Sequence, residues 1–284
     1  MNIIDSHIHL IDVEAHDWYP GLKVWGEAVG KPDLYQTFTL QDHRDQAGAA
    51  GIQLDGFVHV SATTKPGAYL DETRWVSALA DAEDLRLALI GTVDPALSPT
   101  EIVAELDEQA GHDRFRGVRV LYGFEPDSAA ASAVLSWLAD HDAVFDLVIN
   151  PDAMTGWLDR LRRTPELRVV LEHTGWPAAT DEAGRRAWEQ AMERFAGETE
   201  APCKLSGLGM VTRDLGYDSV GPWLERAVEL LGWDRVMFGS NMPIETMGGS
   251  HPQLIESMQR LTDGVDQAEA AKFWGGNAAA SYRL

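Results

Sequence analysis

Eight short runs rich in Val, Ile, Leu and Phe, each followed by a stretch with helical periodicity, constrain this chain more than any other feature. The runs are Asn2–Asp5, Gly56–Ser61, Leu85–Val93, Gly117–Leu121, Val144–Ile149, Arg168–Glu172, Cys203–Ser206 and Arg235–Gly239. Short, near-continuous apolar strands of this kind belong to parallel sheets covered on both faces. Between them, Glu72–Glu83 aligns Trp75, Val76, Leu79 and Ala80 on one helical face. Ser98, Pro99 and Glu101 read as N-cap, N1 and N3 of a helix reaching Gln109. Further helices are predicted over Leu40–Ala50, Ala129–Ala139, Ala153–Arg163, Gly184–Ala196, Gly221–Leu231 and Pro252–Arg260. Eight strands with intervening helices predict an α/β chain closed as a (β/α)8 TIM barrel rather than a doubly wound sheet. The 284 residues suit one such domain over 1–284, since the barrel typically takes about 250.

The rhythm breaks once. Ile11–Thr39 reads as a long loop after the first strand, carrying Trp18, Tyr19, Trp25, Tyr35 and Phe38. That aromatic content predicts either an ordered lid or a plug sealing one end of the core. Composition narrows the partners. Lys and Arg total 23 against 45 Asp and Glu, a net charge of −22, which repels nucleic acid and anionic membrane surfaces. The single cysteine, Cys203, allows no intramolecular disulfide and no CxxC zinc site. The N-terminus MNIIDSHIHL lacks the basic and long apolar regions of a signal peptide, and Ser128–Ala139, the longest uncharged helical stretch, cannot span a bilayer. The expectation is a soluble cytoplasmic protein acting on a small molecule, with a homo-oligomer left open.

Polar residues gather where the predicted strands end. In Asp5-Ser6-His7-Ile8-His9, residues two apart on a strand share a face, so His7 and His9 both project into the barrel. Later strand ends carry Arg119, Asp146, His173, Lys204, Ser206, Ser240 and Asn241. Active sites of such barrels lie at that end, and this many polar groups there predicts a wet, functional mouth. His59 on the second strand could face either side, and Trp18, Trp25 and Trp176 are loop residues suited to line a pocket. His16, His43, His112, His141 and His251 are expected at the surface. Strand alternation turns Glu172 toward the helices if His173 faces the barrel, and Asp146 is expected to brace a neighbouring Arg or His. Glu72, at a helix start, is expected to act as a favourable dipole partner.

Several segments together resemble the amidohydrolase-2 family. They are His7-Ile8-His9, Glu172-His173-Thr174-Gly175-Trp176-Pro177, Cys203-Lys204-Leu205-Ser206-Gly207-Leu208, Phe238-Gly239-Ser240-Asn241-Met242-Pro243 and Gly276-Asn277-Ala278-Ala279. The chain is most similar to the branch holding sugar-acid lactonases and 2-pyrone-4,6-dicarboxylate lactonase. The resemblance implies an active site at His7, His9 and His173, which in some members hold one divalent metal, zinc first, while others work without metal. It also implies that Arg119 and Lys204 bind a carboxylate or hydroxyl of a carboxylated or polyhydroxylated substrate. One position departs from the pattern: Asn241 stands where relatives usually carry Asp, and an amide cannot serve as general base near neutral pH. The expected activity is opening of a small lactone by water, with His173 taking the proton and Asn241 fixing the water. The alternatives are an isomerase or decarboxylase acting on a related acid, or a barrel that only binds.

Overall fold

The computed structural model describes residues 2–284. Eight parallel strands run in one sheet in chain order: β1 (Ile3–Ile8), β2 (Leu54–Val60), β3 (Leu87–Gly91), β4 (Phe115–Val118), β5 (Val144–Leu147), β6 (Arg168–Leu171), β7 (Cys203–Leu205) and β8 (Val236–Phe238). Together with the helices between them they form the predicted TIM barrel. Most strands are shorter than the apolar runs that signalled them, because their last residues leave the ladder to form the mouth. β1 and β2 are the exceptions: β1 runs as far as Ile8 rather than stopping at Asp5, and β2 begins at Leu54, two residues early.

Twelve α-helices surround the strands: α1 (Pro20–Ala28), α2 (Leu40–Ala49), α3 (Tyr69–Ala82), α4 (Pro99–Ala110), α5 (Ala129–Asp140), α6 (Met154–Leu161), α7 (Glu182–Glu198), α8 (Gly209–Thr212), α9 (Tyr217–Leu231), α10 (His251–Leu261), α11 (Gln267–Ala271) and α12 (Asn277–Tyr282). α4 begins with the predicted capping box, Ser98 accepting from Glu101 N while Glu101 accepts from Ser98 N. α1 and a 3-10 turn at Pro32–Leu34 occupy the stretch read as an irregular loop. Pro20 at the first helical position starts α1. Gly21 N bonds Thr64 Oγ1 at 2.8 Å, tying α1 to the loop after β2. No described helix is long and apolar enough to cross a membrane.

Two apolar layers hold the fold. The inner one fills the barrel with Ile4, Val58, Val60, Ala88, Ile90, Val144, Val170 and Met237, and is closed from below by Ala278 and Tyr282 of α12. The outer layer packs the helices on the strands and includes Ile3 and Ile8. β1 therefore changes phase along its length. Ile4 points inward near the bottom, and the odd-numbered His7 and His9 point inward at the top. A register shift between Asp5 and Ile8 produces the change, as a bulge does by inserting one residue into the alternation.

The sheet has a seam. No ladder joins β8 to β1 among the described residues. Instead the Asp5 carboxylate accepts from Ser240 N (2.8 Å) and His7 N (3.1 Å), and above it Asn241 N donates to His7 O (2.7 Å) and His9 N to Met242 O (2.9 Å).

Candidate active site

The carboxyl ends of β1, β4, β6 and β8 converge on a cavity lined by His9, Arg119, His173 and Asn241, roofed by Leu22 and Trp25 of α1, with Trp176 and Met210 at its side. Its volume is about 100 Å³, well below the 300–1,000 Å³ of drug-sized pockets, so it suits a small ligand. A wider cleft of about 520 Å³ lies at the other end of the barrel beside Val144 and Arg168, without a convergent catalytic set.

Three imidazoles meet at the floor. His7 Nε2 and His9 Nε2 are 3.2 Å apart, and the His7 ring centroid is 4.6 Å from that of His173. Burial holds all three well below the usual histidine range, and the neighbouring charges of Lys204 and Arg119 push the same way, so the rings are neutral at neutral pH. His9 Nδ1 lies 2.7 Å from Val60 O, which only accepts, so the proton sits on Nδ1 and the Nε2 lone pair faces His7. Gly207 makes room for His173: its φ is +76°, and a Cβ there would lie 2.6 Å from the His173 ring.

Beneath the imidazoles lies a buried network of charge. Lys204 Nζ is 2.5 Å from Asp146 Oδ2, 3.2 Å from His7 Nδ1 and 3.6 Å from Glu172 Oε1. Glu172 also faces His7 Nδ1 (3.4 Å), His173 Nε2 (3.5 Å) and Arg119 Nη1 (3.5 Å). Asp146 Oδ1 accepts from the Tyr282 hydroxyl at 2.7 Å. Burial raises the Asp146 carboxyl to about 6 against the pull of Lys204. Each charge is thus met by an opposite one, which makes such burial tolerable.

The floor fits a divalent ion. Two imidazole nitrogens bound to one zinc at 2.0–2.1 Å in tetrahedral geometry stand roughly 3.3 Å apart, close to the His7–His9 separation. His7, Glu172 and His173 also bring ligand atoms within 4.8 Å of one another. Glu172 Oε1 has no hydrogen-bond partner despite complete burial. A proton on His7 Nδ1 directed at that oxygen turns the Nε2 lone pair on His9 Nε2, and two facing lone pairs at this distance call for a cation between them. The other tautomer, with His7 Nδ1 accepting from Lys204, makes a hydrogen-bonded chain without one.

Several sequence expectations need correction. Glu172 does not face the helices. Glu172 is still extended and keeps the inward parity of Val170, and it is His173, with positive φ, that breaks alternation and turns to the same side, so Glu172 lies under the imidazoles. Lys204 belongs to that same lower network and does not line the cavity. His59 also lies off it: its Nδ1 accepts from Leu10 N (3.2 Å) and its Nε2 faces Glu72 (3.5 Å). Trp18 stacks on His16 at 3.7 Å, edge-on to Trp75, outside the cavity, whereas Trp25 and Trp176 line it. His43 and His251 are buried rather than at the surface, their rings 5.9 Å apart behind β1. Glu72 is more than a dipole partner, since it accepts from Ser61 Oγ, Ala62 N (3.0 Å) and Thr63 N (3.3 Å) and so pins the loop after β2. Asp146 braces a lysine and a tyrosine, not an Arg or His.

Sequence reasoning passed over Glu245. It follows β8 in the 3-10 turn Ile244–Met247, fully buried, and accepts from Asn241 Nδ2 (2.9 Å) and Gly209 N (2.7 Å). Its spacing of four residues from Asn241 across a tight turn was the available signal.

Comparison with known proteins agrees with this architecture. L-fucono-1,5-lactonase of Burkholderia ambifaria is 28% identical over 294 residues, covering 99% of this chain and 95% of its own. L-rhamnono-gamma-lactonase of Scheffersomyces stipitis is 21% identical over 342 residues, covering 99% and 98%. The crystal structure of an amidohydrolase from Burkholderia multivorans with bound zinc superposes with a TM-score of 0.83 at 24% identity, covering 100% of both chains. A family model described as Amidohydrolase matches residues 4–284. From β1 through the terminal helix, then, the chain is a member of the amidohydrolase family.

Proposed function

We propose that the protein hydrolyses a small lactone of the sugar-acid or carboxylated-ring class. The observation that carries this reading is the small cavity whose wall sets a neutral imidazole, His173, beside a guanidinium, Arg119, and a neutral amide, Asn241. Relatives over nearly the full length carry lactonase names.

His7 and His9, with Glu172, would hold a divalent ion, zinc first, with His173 left off it so that its remaining lone pair stays free. Such an ion polarises a carbonyl and lowers the pKa of water. The chain's own residues do the rest. His173 Nδ1 is held by Ser206 Oγ at 3.1 Å, leaving Nε2 for chemistry. As water adds to the lactone carbonyl, His173 takes its proton, and Glu172 Oε2, 3.5 Å away, stabilises the imidazolium. Arg119 is aimed by Ser61 O, which accepts from its Nη2 at 2.6 Å, and faces the negative charge that develops on the carbonyl oxygen. When the ring C–O bond breaks, the alkoxide recovers the proton from His173, and the product is the open hydroxy acid. Trp25 and Trp176 line the cavity and would offer apolar surface to the C–H side of a sugar ring.

The test is a panel of aldono-1,5- and 1,4-lactones and 2-pyrone-4,6-dicarboxylate, followed by acid release with a pH indicator, with and without added zinc. Opening of at least one lactone well above background is expected. No turnover on any member in either condition refutes the reading.

A further inference from the structure

Asn241 has one amide and two neighbours of opposite demand. Its Nδ2 donates to Glu245 Oε2 at 2.9 Å. Glu245 Oε1 is already filled by Gly209 N, so the carboxylate is anchored at both oxygens. Burial raises the Glu245 carboxyl to about 7, so at pH 7.5 and above the ionised form prevails; it only accepts hydrogen bonds, and the amide beside it presents nitrogen and turns its oxygen away. The side turned away is the cavity, which Asn241 lines, and among the described residues no group donates to Oδ1. The local backbone enforces the arrangement: Asn241 has φ +55°, and Glu245 N donates back to Asn241 O at 2.9 Å, closing the turn that carries both residues.

We propose that Glu245 is a positioning residue that locks Asn241 as a hydrogen-bond acceptor toward the cavity, so that the site selects lactones carrying ring hydroxyls over bare lactones. The selectivity rests on the lactonase reading; the locking of the amide does not. One of the two Nδ2 hydrogens is thereby committed to Glu245, and a hydroxyl or water that donates to Oδ1 is favoured. A site built to hydrogen-bond a substrate hydroxyl rejects the analogue lacking it, because the site's polar atom is then left unpaired.

Two measurements test this. The first reads the amide alone. The sequence has four asparagines, Asn2, Asn150, Asn241 and Asn277, so selective 15N-asparagine labelling gives a spectrum simple enough to follow the Asn241 side chain. Its NH2 protons should exchange slowly in the native protein and at least tenfold faster in Glu245→Gln. Fast exchange in the native protein overturns the locking even if the variant does not fold. The second reads selectivity at pH 7.5 with D-glucono-1,5-lactone and δ-valerolactone. The ratio of kcat/KM for the hydroxylated over the bare lactone should fall at least tenfold in Glu245→Gln. The double variant Asn241→Asp/Glu245→Gln, which swaps donor and acceptor across the same bond, should recover at least part of the ratio lost in Asn241→Asp alone. Equal losses on both lactones, or no recovery in the double variant, refute the positioning role. If the native protein opens neither lactone nor any other on the panel, the lactonase reading and the selectivity fall together, and the exchange measurement still decides the locking.

Discussion

Replacing Tyr282 with Phe removes one hydroxyl from the floor of the barrel and nothing else, which makes it a clean probe of the buried network. The hydroxyl donates to Asp146 Oδ1 at 2.7 Å, while Asp146 Oδ2 holds Lys204. Both tyrosine and aspartate are fully buried, so no water replaces the lost donor. A hydrogen bond to a charged group contributes about 1.5–3 kcal/mol, and at about 2 °C per kcal/mol for a chain of this size the melting temperature should fall by about 3–6 °C at pH 8. The pH dependence gives the sharper check. Burial raises the Asp146 carboxyl from 3.8 to about 6. Its contribution to stability is therefore present below pH 3.8 and lost as pH rises through 6. The tyrosine bond supports the ionised form, so its removal should cost more at pH 8 than at pH 5. Differential scanning calorimetry at the two pH values decides the matter. A melting temperature within 1 °C of the native protein at both, or a larger deficit at pH 5, would show that the hydroxyl does not support a buried carboxylate.

Other perturbations separate the remaining groups. Arg119→Met should lower kcat/KM on an opened lactone by about 10²–10³, the usual loss for one oxyanion donor; a loss under threefold would place the guanidinium outside the chemistry. Protein prepared without chelator should carry about one divalent ion per chain by elemental analysis, and His9→Ala should lose most of it; no binding by the native protein in excess zinc would refute the ligand set. Asp5→Asn should flatten the dependence of melting temperature on pH. Burial raises the Asp5 carboxyl from 3.8 to about 6, so the native protein loses this contribution as pH rises through 6 and the amide cannot. An unchanged slope between pH 4 and 7 would contradict that assignment.

The barrel was legible because its signal is redundant. Eight strands and their helices repeat one pattern, and an error of several residues at any boundary leaves the topology intact. That His7 and His9 share a face followed from their spacing of two, and the place of His173 beside them from its position at a strand end. What escaped lay where parity ends. The outward expectation for Glu172 follows from giving His173 the inward parity, whereas Glu172 itself continues the inward side of Val170 and His173 joins it only through a positive φ that no apolar pattern announces. Lys204 points inward along its strand but sits too low to reach the cavity, a difference of depth that periodicity does not encode, while His59 has the parity opposite to the inward Val58 and Val60 and faces the helices. α1 was hidden because its sequence, Pro-Gly-Leu-Lys-Val-Trp-Gly-Glu-Ala, places two glycines in nine residues, and its helicity comes from packing and the contact with Thr64 rather than from propensity. Nothing in the sequence marks His43 and His251 as buried, because an isolated histidine carries no local sign of what will cover it.

The seam between β8 and β1 has a consequence for how the molecule fails on heating. Elsewhere neighbouring strands pair in a ladder, reduced to one position between β6 and β7, but here one carboxylate, the isolated bridge Ile8–Met242 and a few main-chain contacts join the edges, and those contacts are made by His7, His9, Ser240, Asn241 and Met242. Segments with few ladder bonds open locally at a fraction of the global unfolding free energy. Such breathing separates the imidazoles of β1 from Asn241 while the other seven strand pairs stay closed. Turnover should therefore disappear on warming several degrees before far-ultraviolet ellipticity changes, and return on cooling.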